Sequence, residues 1–256
     1  MKPRSYTMAA TSNWADLGAM AITNELMQRY GQPSPQQPVH ITRIENVENN
    51  RYYQQQDIDL LVHSRNAQTN QHFQSAIEIK ADTYPAGDLL HAADQGNFFF
   101  ELVSNDTKNP RTPGCFVYCQ ADFLYYLFLS TGTLYTFPME PIRQCVLKRI
   151  HFDEERFLYD PTPLTAHKMP GLKATATFIH GALAYRTWGV AIPIQLVLNW
   201  AKQDGIQVNK SNMLGSVYTC AQQTGQAQAL MSKLAPSMQS HIQNFLISSN
   251  SINSGI

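Results

Sequence analysis

The chain opens with apolar residues at helical spacing and continues with strand-like alternation. Residues 13–30 place apolar side chains three and four positions apart, with Ser12 or Asn13 as the N-cap and Gly31 as the stop, which predicts an amphipathic helix. Residues 32–38 are rich in proline and glutamine, and they predict an extended loop because proline lacks the backbone N–H that a helix needs.

Short apolar or alternating runs, separated by turn residues, predict a series of strands. The predicted strands cover residues 39–44, 57–63, 75–81, 97–104, 116–118, 123–129 and 133–137. The first three should form a meander, since the polar turn at 65–70 joins the second strand to the third. Helical patterns then return, and the predicted helices run from Pro141 to about Arg149 and over 192–203, 211–224 and 226–248.

Two of the predicted strands carry charged residues where a buried strand normally has none. Asp57 and Asp59 lie in the second strand, and Glu78 and Lys80 lie in the third. Because successive side chains of a strand point to opposite faces, Glu78 and Lys80 should share one face, with Ile79 on the other. Asp57 and Asp59 should likewise share a face.

Pairing of these two strands as a hairpin would bring the carboxylates and the Lys80 ammonium to one patch. Mg²⁺ takes carboxylate oxygens and keeps several waters, which leaves room for a phosphate oxygen and an attacking hydroxide. Lys80 would orient or deprotonate that water and offset charge on the pentavalent phosphate. The alternative is structural: Asp59 could cap a turn, and Glu78 with Lys80 could form a solvated pair contributing only about 0.2–1 kcal/mol.

Asp59, followed nineteen residues later by the triplet Glu78-Ile79-Lys80 at the end of an apolar run, resembles the PD-(D/E)xK nuclease superfamily. That superfamily has the restriction-endonuclease-like fold shared with Holliday-junction resolvases. Gln56 and Asp57 stand where its usual proline would precede the first aspartate.

A second segment carries the same resemblance. The turn Gly96-Asn97 leads into an apolar strand bearing Glu101, which is similar to the strand after the E-x-K motif in several phage and bacterial members. The resemblance covers roughly residues 13–150. It implies an α/β fold with a restriction-endonuclease-like mixed central sheet flanked by helices.

The resemblance also implies the roles of the site residues. Asp59, Glu78 and the backbone carbonyl of Ile79 would hold Mg²⁺ or Mn²⁺, and Lys80 would complete the catalytic set. Some members supply a glutamate from the first helix, although a single acidic residue on a helix is usually solvated. The weaker candidates for the site are Glu25, Asp57 and Glu101.

Composition limits the class of protein. Of the 256 residues, 43% are hydrophobic, which is enough for a substantial core. The four cysteines show no pairing or zinc-finger spacing, so reduced and buried thiols are expected. No apolar run approaches the ~20 residues needed to cross a bilayer, and the first residues lack the apolar segment of a signal peptide. We therefore expect a cytoplasmic protein without a membrane segment.

The net charge is zero, but its distribution is uneven. Residues 1–160 have 13 Lys and Arg against 18 Asp and Glu, and residues 161–256 have 6 against 1. This favours a metal-binding, nuclease-like core over 1–160 and a mainly helical, basic C-terminal region over 161–256 that could contact phosphates. The candidate phosphate contacts, which could equally be ordinary solvated side chains, are Lys108, Arg111, Lys168, Lys173 and Lys202.

Together these features predict a Mg²⁺-dependent endonuclease that acts on duplex or branched DNA. Two alternatives remain: a non-catalytic DNA-binding or structural protein with the same fold, and a nuclease directed at RNA. A homodimer is compatible with each of them.

Overall fold

Helix α1 (Met8–Tyr30) is the first element of the computed structural model, which describes residues 8–83, 96–179 and 182–232. The helix was predicted over 13–30, and its end is confirmed by the Gly31 N–H, which donates to the Met27 carbonyl at 2.9 Å. Its buried face includes Leu17 and Ile22, both fully buried.

The remaining elements follow in chain order. They are β1 (Val39–Asn46), α2 (Arg51–Gln54), β2 (Leu60–Asn66), β3 (His72–Asp82), β4 (Asn97–Asn105), β5 (Thr112–Pro113), α3 (Cys115–Tyr118), β6 (Phe123–Phe128), β7 (Thr133–Pro138), α4 (Met139–Arg149), a π-helical turn (Glu155–Tyr159), a 3₁₀ turn (Leu164–Ala166), β8 (Leu172–Ile179), β9 (Ala182–Pro193), α5 (Ile194–Gln203), β10 (Asn209–Asn212), α6 (Leu214–Gln223) and α7 (Ala227–Met231).

The strands form two sheets. The first has six strands in the order β1-β2-β3-β6-β7-β10, and the second has four in the order β5-β4-β9-β8. Strands β1, β2 and β3 form the predicted antiparallel meander, and β6 then pairs parallel to β3. All other neighbours are antiparallel. The mixed α/β class expected from the sequence is therefore confirmed.

The six-stranded sheet is covered on both faces. Residues of α1 and α6, including Leu17 and Val217, pack with Ile77 and Ile79 of β3 on one face. On the other face, aromatic residues of β6 and β7 pack against the second sheet, α4 and α5. Phe98 of β4 lies at the centre of this second cluster, where its ring contacts five others at centroid distances of 4.9–5.9 Å. The predicted aromatic strands are thus core, as alternating or continuous apolar runs usually are.

The second strand begins later than predicted. It starts at Leu60, so Asp57 and Asp59 precede it, and the expected alternation over 57–63 is wrong for these two residues. The reason is local: Asn50 caps the short helix α2 by accepting from the Tyr52 N–H at 3.0 Å, and the chain then reverses through Asp57 with a left-handed φ of 54°. Aspartate tolerates this conformation better than most residues.

The predicted strand over 116–118 is wrong as well. Residues Cys115–Tyr118 form the single helical turn α3, closed by the Cys119 N–H, which donates to the Cys115 carbonyl at 2.9 Å. Apolar runs this short do not distinguish a buried strand from a buried helical turn.

The described part of the C-terminal region, up to residue 232, is less helical than predicted. Its strands β8 and β9 form a hairpin that pairs with β4, and β10 adds to the edge of the six-stranded sheet. Both hydrophobic clusters contain C-terminal residues, so residues after 161 complete the core that the earlier residues begin. The predicted helix over 226–248 coincides with α7 at its start, and the part beyond residue 232 lies outside the described residues. No helix in the described ranges combines the length and apolar character needed to cross a membrane.

Candidate active site

The site is built on the antiparallel hairpin of β2 and β3. The last pair in register is Leu60 with Ile77, and Asp59 continues the pairing through its own N–H, which donates to the Ile77 carbonyl at 3.0 Å. Beyond this point the Asp59 side chain takes the place of the partner strand, since its Oδ2 accepts from the Ile79 N–H at 2.7 Å. This contact holds the Asp59 carboxylate beside the Glu-x-Lys triplet.

The Ile79 carbonyl lies on the same edge of β3. In an extended strand the N–H and C=O of one residue point to the same neighbour, as in a hydrogen-bonded pair. Because the Ile79 N–H reaches Asp59, the Ile79 carbonyl also faces the edge where β2 has ended. The structure therefore places the Asp59 carboxylate and the Ile79 carbonyl at one edge of β3. Glu78, the third group predicted to hold a metal, is the preceding residue of the same strand.

Glu78 and Lys80 share a face, as the alternation predicts. Glu78 lies beside Leu124 and Lys80 beside Tyr126 of the parallel strand β6. Glu78 is 2% exposed, and its Oε1 lies 2.6 Å from the Lys80 Nζ. The Lys80 side chain is 35% exposed, so it extends from the buried Glu78 carboxylate toward the surface.

Asp59, Glu78 and Lys80 form a group of charged side chains, called here the Asp59 cluster. Asp57 also reaches this cluster, although it lies in a turn. Its backbone is left-handed, and Asp57 Oδ2 is buried with no hydrogen-bond partner in the ranges that the structure describes. The Asp57 carbonyl accepts from the Cys119 Sγ at 3.0 Å, which ties the turn to the segment after α3.

Glu101 approaches from the second sheet. It lines one cleft with Glu78, Lys80 and Cys115, and the Cys115 N–H stabilises its carboxylate. The helix α3 that carries Cys115 is held against β4 by the Gly114 N–H, which donates to the Leu102 carbonyl at 2.8 Å. Of the three weaker candidates for the site, Glu101 is the one that the packing of the two sheets places in the cleft.

Burial dominates the electrostatics of the carboxylates. It raises the pKa of Glu78 well above its ordinary value; Lys80 opposes this rise, whereas Asp59 and Asp57 add to it. Burial likewise raises the pKa of Asp59, against the opposing effects of Lys80, the Ile79 N–H and a hydrogen bond with Glu78. The pKa of Glu101 is raised by burial and held back chiefly by Lys80.

The pKa of Lys80 is raised as well, but for an ammonium this shift favours the charged form. Burial alone would lower the pKa of its ammonium, but negative charge at Cys115, Glu78, Asp57 and Glu101 raises it well above the ordinary value. Burial also raises the pKa of the Cys115 thiol. The raised pKa of Lys80 keeps its ammonium protonated near neutral pH.

The residues present fit a bound cation. Within the described part of the chain, Glu78 Oε2 and Asp57 Oδ2 are buried without a hydrogen-bond partner, and one ammonium lies among several carboxylates. A carboxylate left unpaired in a low-dielectric site is costly, and a divalent cation coordinated by oxygen would remove that cost.

Glu25 lies elsewhere. Its carboxylate forms a salt bridge with Arg29 and accepts a hydrogen bond from the Ser216 hydroxyl, where α1 packs against α6. Neither partner belongs to the Asp59 cluster, so the helix position that could have supplied a ligand is used to join two helices.

The predicted phosphate contacts differ in exposure. Arg111 is 9% exposed and donates to the carbonyls of Phe157 at 2.9 Å and Thr162 at 2.7 Å. Its prediction as a surface contact is therefore corrected, because its guanidinium stabilises the π-helical turn and the loop after it. The other four candidates are exposed: Lys108, Lys168, Lys173 and Lys202.

Sequence reasoning missed Cys119 as part of the site. Its Sγ and one carboxylate oxygen each from Asp57 and Glu78 lie within 4.8 Å of one another. The only sequence signal was the four-residue interval between Cys115 and Cys119, which was compared with zinc-finger spacing alone. The prediction that the four cysteines are unpaired and buried is confirmed.

The comparisons with known proteins add no relative. No family model matches the chain, and neither the curated proteins nor the solved structures give a significant match. The chemistry of the site therefore rests on its own geometry.

Proposed function

We propose that this protein is a Mg²⁺-dependent endonuclease that hydrolyses DNA phosphodiester bonds. The observation that carries the proposal is the buried Glu78 carboxylate, which contacts the Lys80 ammonium through one oxygen while the other has no hydrogen-bond partner among the described residues. The proposal is also supported by the Asp59 carboxylate, which accepts from the Ile79 N–H at the edge of the same strand.

Asp59, Glu78 and the Ile79 carbonyl would hold the cation, which Mg²⁺ or Mn²⁺ could supply. The bound ion would polarise a phosphoryl oxygen and favour ionisation of a water at neutral pH. The raised pKa of Lys80 favours a role in orienting the water and offsetting charge on the phosphate. Glu101, whose pKa is raised, is the carboxylate in the same cleft available to accept that proton.

The restriction-endonuclease-like fold is supported by the order of the first elements. A helix is followed by an antiparallel three-strand meander whose third strand carries the Glu-x-Lys triplet, which is how the resembled fold begins. DNA as the substrate is supported by the exposed lysines Lys168, Lys173 and Lys202 and by the basic balance of the C-terminal region.

The test uses three substitutions in the full chain and a matched control. Asp59→Asn and Glu78→Gln should abolish Mg²⁺-dependent and Mn²⁺-dependent cleavage of plasmid, single-stranded and branched DNA, together with the metal-induced rise in melting temperature. Lys80→Met should lower turnover while keeping that rise, because Lys80 does not bind the ion. Glu25→Gln, which keeps the hydrogen bond to Ser216, should retain both properties.

Metal-dependent cleavage by folded Asp59→Asn or Glu78→Gln protein would contradict the assignment. A parent protein that binds DNA but cleaves no form of it, and that shows no thermal shift with metal, would instead favour the non-catalytic alternative. Cleavage confined to RNA would favour the other alternative, a nuclease directed at RNA.

A further inference from the structure

A second group of donors lies beside the proposed Mg²⁺ position. Asp57 precedes β2, Glu78 lies on β3, and Cys119 follows α3, so three separate elements contribute to it. One ligand atom from each lies within 4.8 Å of the other two, which is close to the separation that a shared metal ion would require.

Two of these residues carry a buried oxygen that lacks a partner among the described residues. Glu78 is 2% exposed, and neither its Oε2 nor the Asp57 Oδ2 has a hydrogen-bond partner in the described part of the chain. Lys80 contacts Oε1 of Glu78 and therefore leaves Oε2 unsatisfied. Two carboxylates buried this close together favour a proton or a cation between them.

The third donor makes the group chemically different from an oxygen-only site. The Cys119 Sγ donates to the Asp57 carbonyl at 3.0 Å and accepts from the Ala121 N–H at 3.4 Å, so the sulfur is held next to the carboxylates. Burial raises the pKa of the Cys119 thiol to about 12, which keeps it neutral in the absence of metal. A soft divalent cation deprotonates a coordinating thiol, whereas Mg²⁺ prefers oxygen ligands alone.

We propose that Asp57, Glu78 and Cys119 form a binding site for a thiophilic divalent cation of the Zn²⁺ class. Two carboxylate oxygens, one thiolate and a water give the four ligands that Zn²⁺ commonly takes. Binding releases the thiol proton to solvent, so the affinity increases with pH. Glu78 belongs both to this site and to the proposed Mg²⁺ position, and a bound Zn²⁺ therefore inhibits the Mg²⁺-dependent activity.

Co²⁺ serves as the probe because a cobalt–thiolate bond absorbs in the near ultraviolet. The parent protein, titrated with Co²⁺ in the absence of DNA, should show this absorption, and Zn²⁺ should displace it whereas excess Mg²⁺ should not. The band should be absent in Cys119→Ser, which keeps a hydroxyl to donate to the Asp57 carbonyl. It should persist in Cys145→Ser, a matched change of another buried cysteine.

The affinity for Zn²⁺, measured by calorimetry, should fall more than about 100-fold in Cys119→Ser, since even indirect partners of a metal ligand change affinity by about 10–100-fold. Asp57→Asn should also weaken it, and both variants should keep the near-ultraviolet circular dichroism of the folded parent. A parent protein without the cobalt–thiolate band would overturn the proposal. A band that survives in Cys119→Ser would also overturn the proposal, as would a band that is lost in Cys115→Ser but kept in Cys119→Ser.

This inference shares Glu78 with the proposed function, but the two fail separately. The cobalt spectrum is recorded without nucleic acid, so a protein that cleaves no DNA can still show the thiolate site. Conversely, Mg²⁺-dependent cleavage without a cobalt–thiolate band would leave the nuclease intact and remove the second site. Where cleavage is observed, Zn²⁺ should inhibit the parent more strongly than Cys119→Ser, each compared with its own rate without Zn²⁺.

Discussion

Glu78 shows at the scale of one residue what it costs a fold to bury a carboxylate. One of its oxygens contacts an ammonium and the other has no hydrogen-bond partner among the described residues, so the charged side chain is worse solvated in the folded chain than in the unfolded chain. The rise in its pKa expresses the same imbalance, because the folded state favours the protonated form. If Glu78 binds a cation as proposed, function and stability favour opposite choices at this position.

The first prediction follows from the sign of that shift. Between the ordinary glutamate pKa of 4.5 and the higher value in the folded chain, the folded state binds more protons than the unfolded state. The free energy of unfolding must then fall as pH rises through this interval. Asp59 and Glu101 act in the same direction, whereas the raised pKa of Lys80 matters only at alkaline pH.

Melting temperatures recorded in EDTA from pH 4.5 to neutrality provide the measurement. Relative to the parent, Glu78→Gln should gain stability as pH rises, since the amide carries no charge to bury. At neutral pH, Mg²⁺ at about 100 times its dissociation constant should raise the free energy of unfolding of the parent by about 2.7 kcal/mol. It should have no such effect on Glu78→Gln. Parallel curves for the two proteins in EDTA would show that burial of Glu78 costs nothing.

At the scale of elements, the sequence was informative where side chains alternate and uninformative where the backbone turns. The face shared by Glu78 and Lys80 could be predicted because β3 is a regular strand. Asp57 and Asp59 could not be positioned in this way, since a capped helical turn and a left-handed residue precede β2. Asp59 nevertheless meets the Ile79 N–H, so the predicted convergence holds although the predicted geometry does not.

Long-range packing was beyond a reading of local pattern. Glu101 reaches the cleft only because the second sheet lies across the face of the first, and nothing in residues 97–104 specifies that arrangement. The hairpin of β8 and β9 alternates weakly, since most of its residues are exposed or half-buried on both faces. Clear amphipathic periodicity is absent from such a segment.

The second prediction concerns the junction between the turn after β6 and helix α6. Gly132 has a φ of +62°, its carbonyl accepts from the Met213 N–H at 2.6 Å, and a Cβ there would lie 2.4 Å from the Leu214 main chain. Gly205 has a similar φ of +68° with no atom within 4 Å of such a Cβ. The two glycines share a backbone conformation and differ in their surroundings.

Urea denaturation of Gly132→Ala and Gly205→Ala separates these effects. Gly205→Ala should cost about 1–2 kcal/mol, the penalty of a left-handed residue with a Cβ. Gly132→Ala should cost clearly more, because the added carbon must also push α6 away from the sheet. Equal decreases in stability for the two variants would mean that α6 moves aside freely and contributes little to the core.

At the scale of the whole molecule, the two ends of the described chain meet over the six-stranded sheet. Asn24 of α1 donates to the Cys220 Sγ of α6 at 3.3 Å, and Glu25 accepts from Ser216 beside it. The acidic and basic parts of the sequence are therefore interleaved in one packed structure, with β10 and α6 supplied by the basic part. Any nucleic acid that reaches the cleft is exposed to the charges of both.

The last prediction tests whether the exposed lysines contact phosphates. Changing Lys168, Lys173 and Lys202 together to glutamine should weaken DNA binding to all sequences alike and reduce the slope of log affinity against log salt by about 0.9 for each duplex phosphate that is no longer neutralised. The same three changes to arginine keep the charge and should keep the slope. Because none of the three lies in the Asp59 cluster, the metal-induced rise in melting temperature should match the parent in both variants.

An unchanged slope in the glutamine variant would mean that these lysines are solvated, and Arg111 could not replace them because its guanidinium is bound to two carbonyls. Of the original candidates, the loop lysine Lys108 would then be left to guide the DNA.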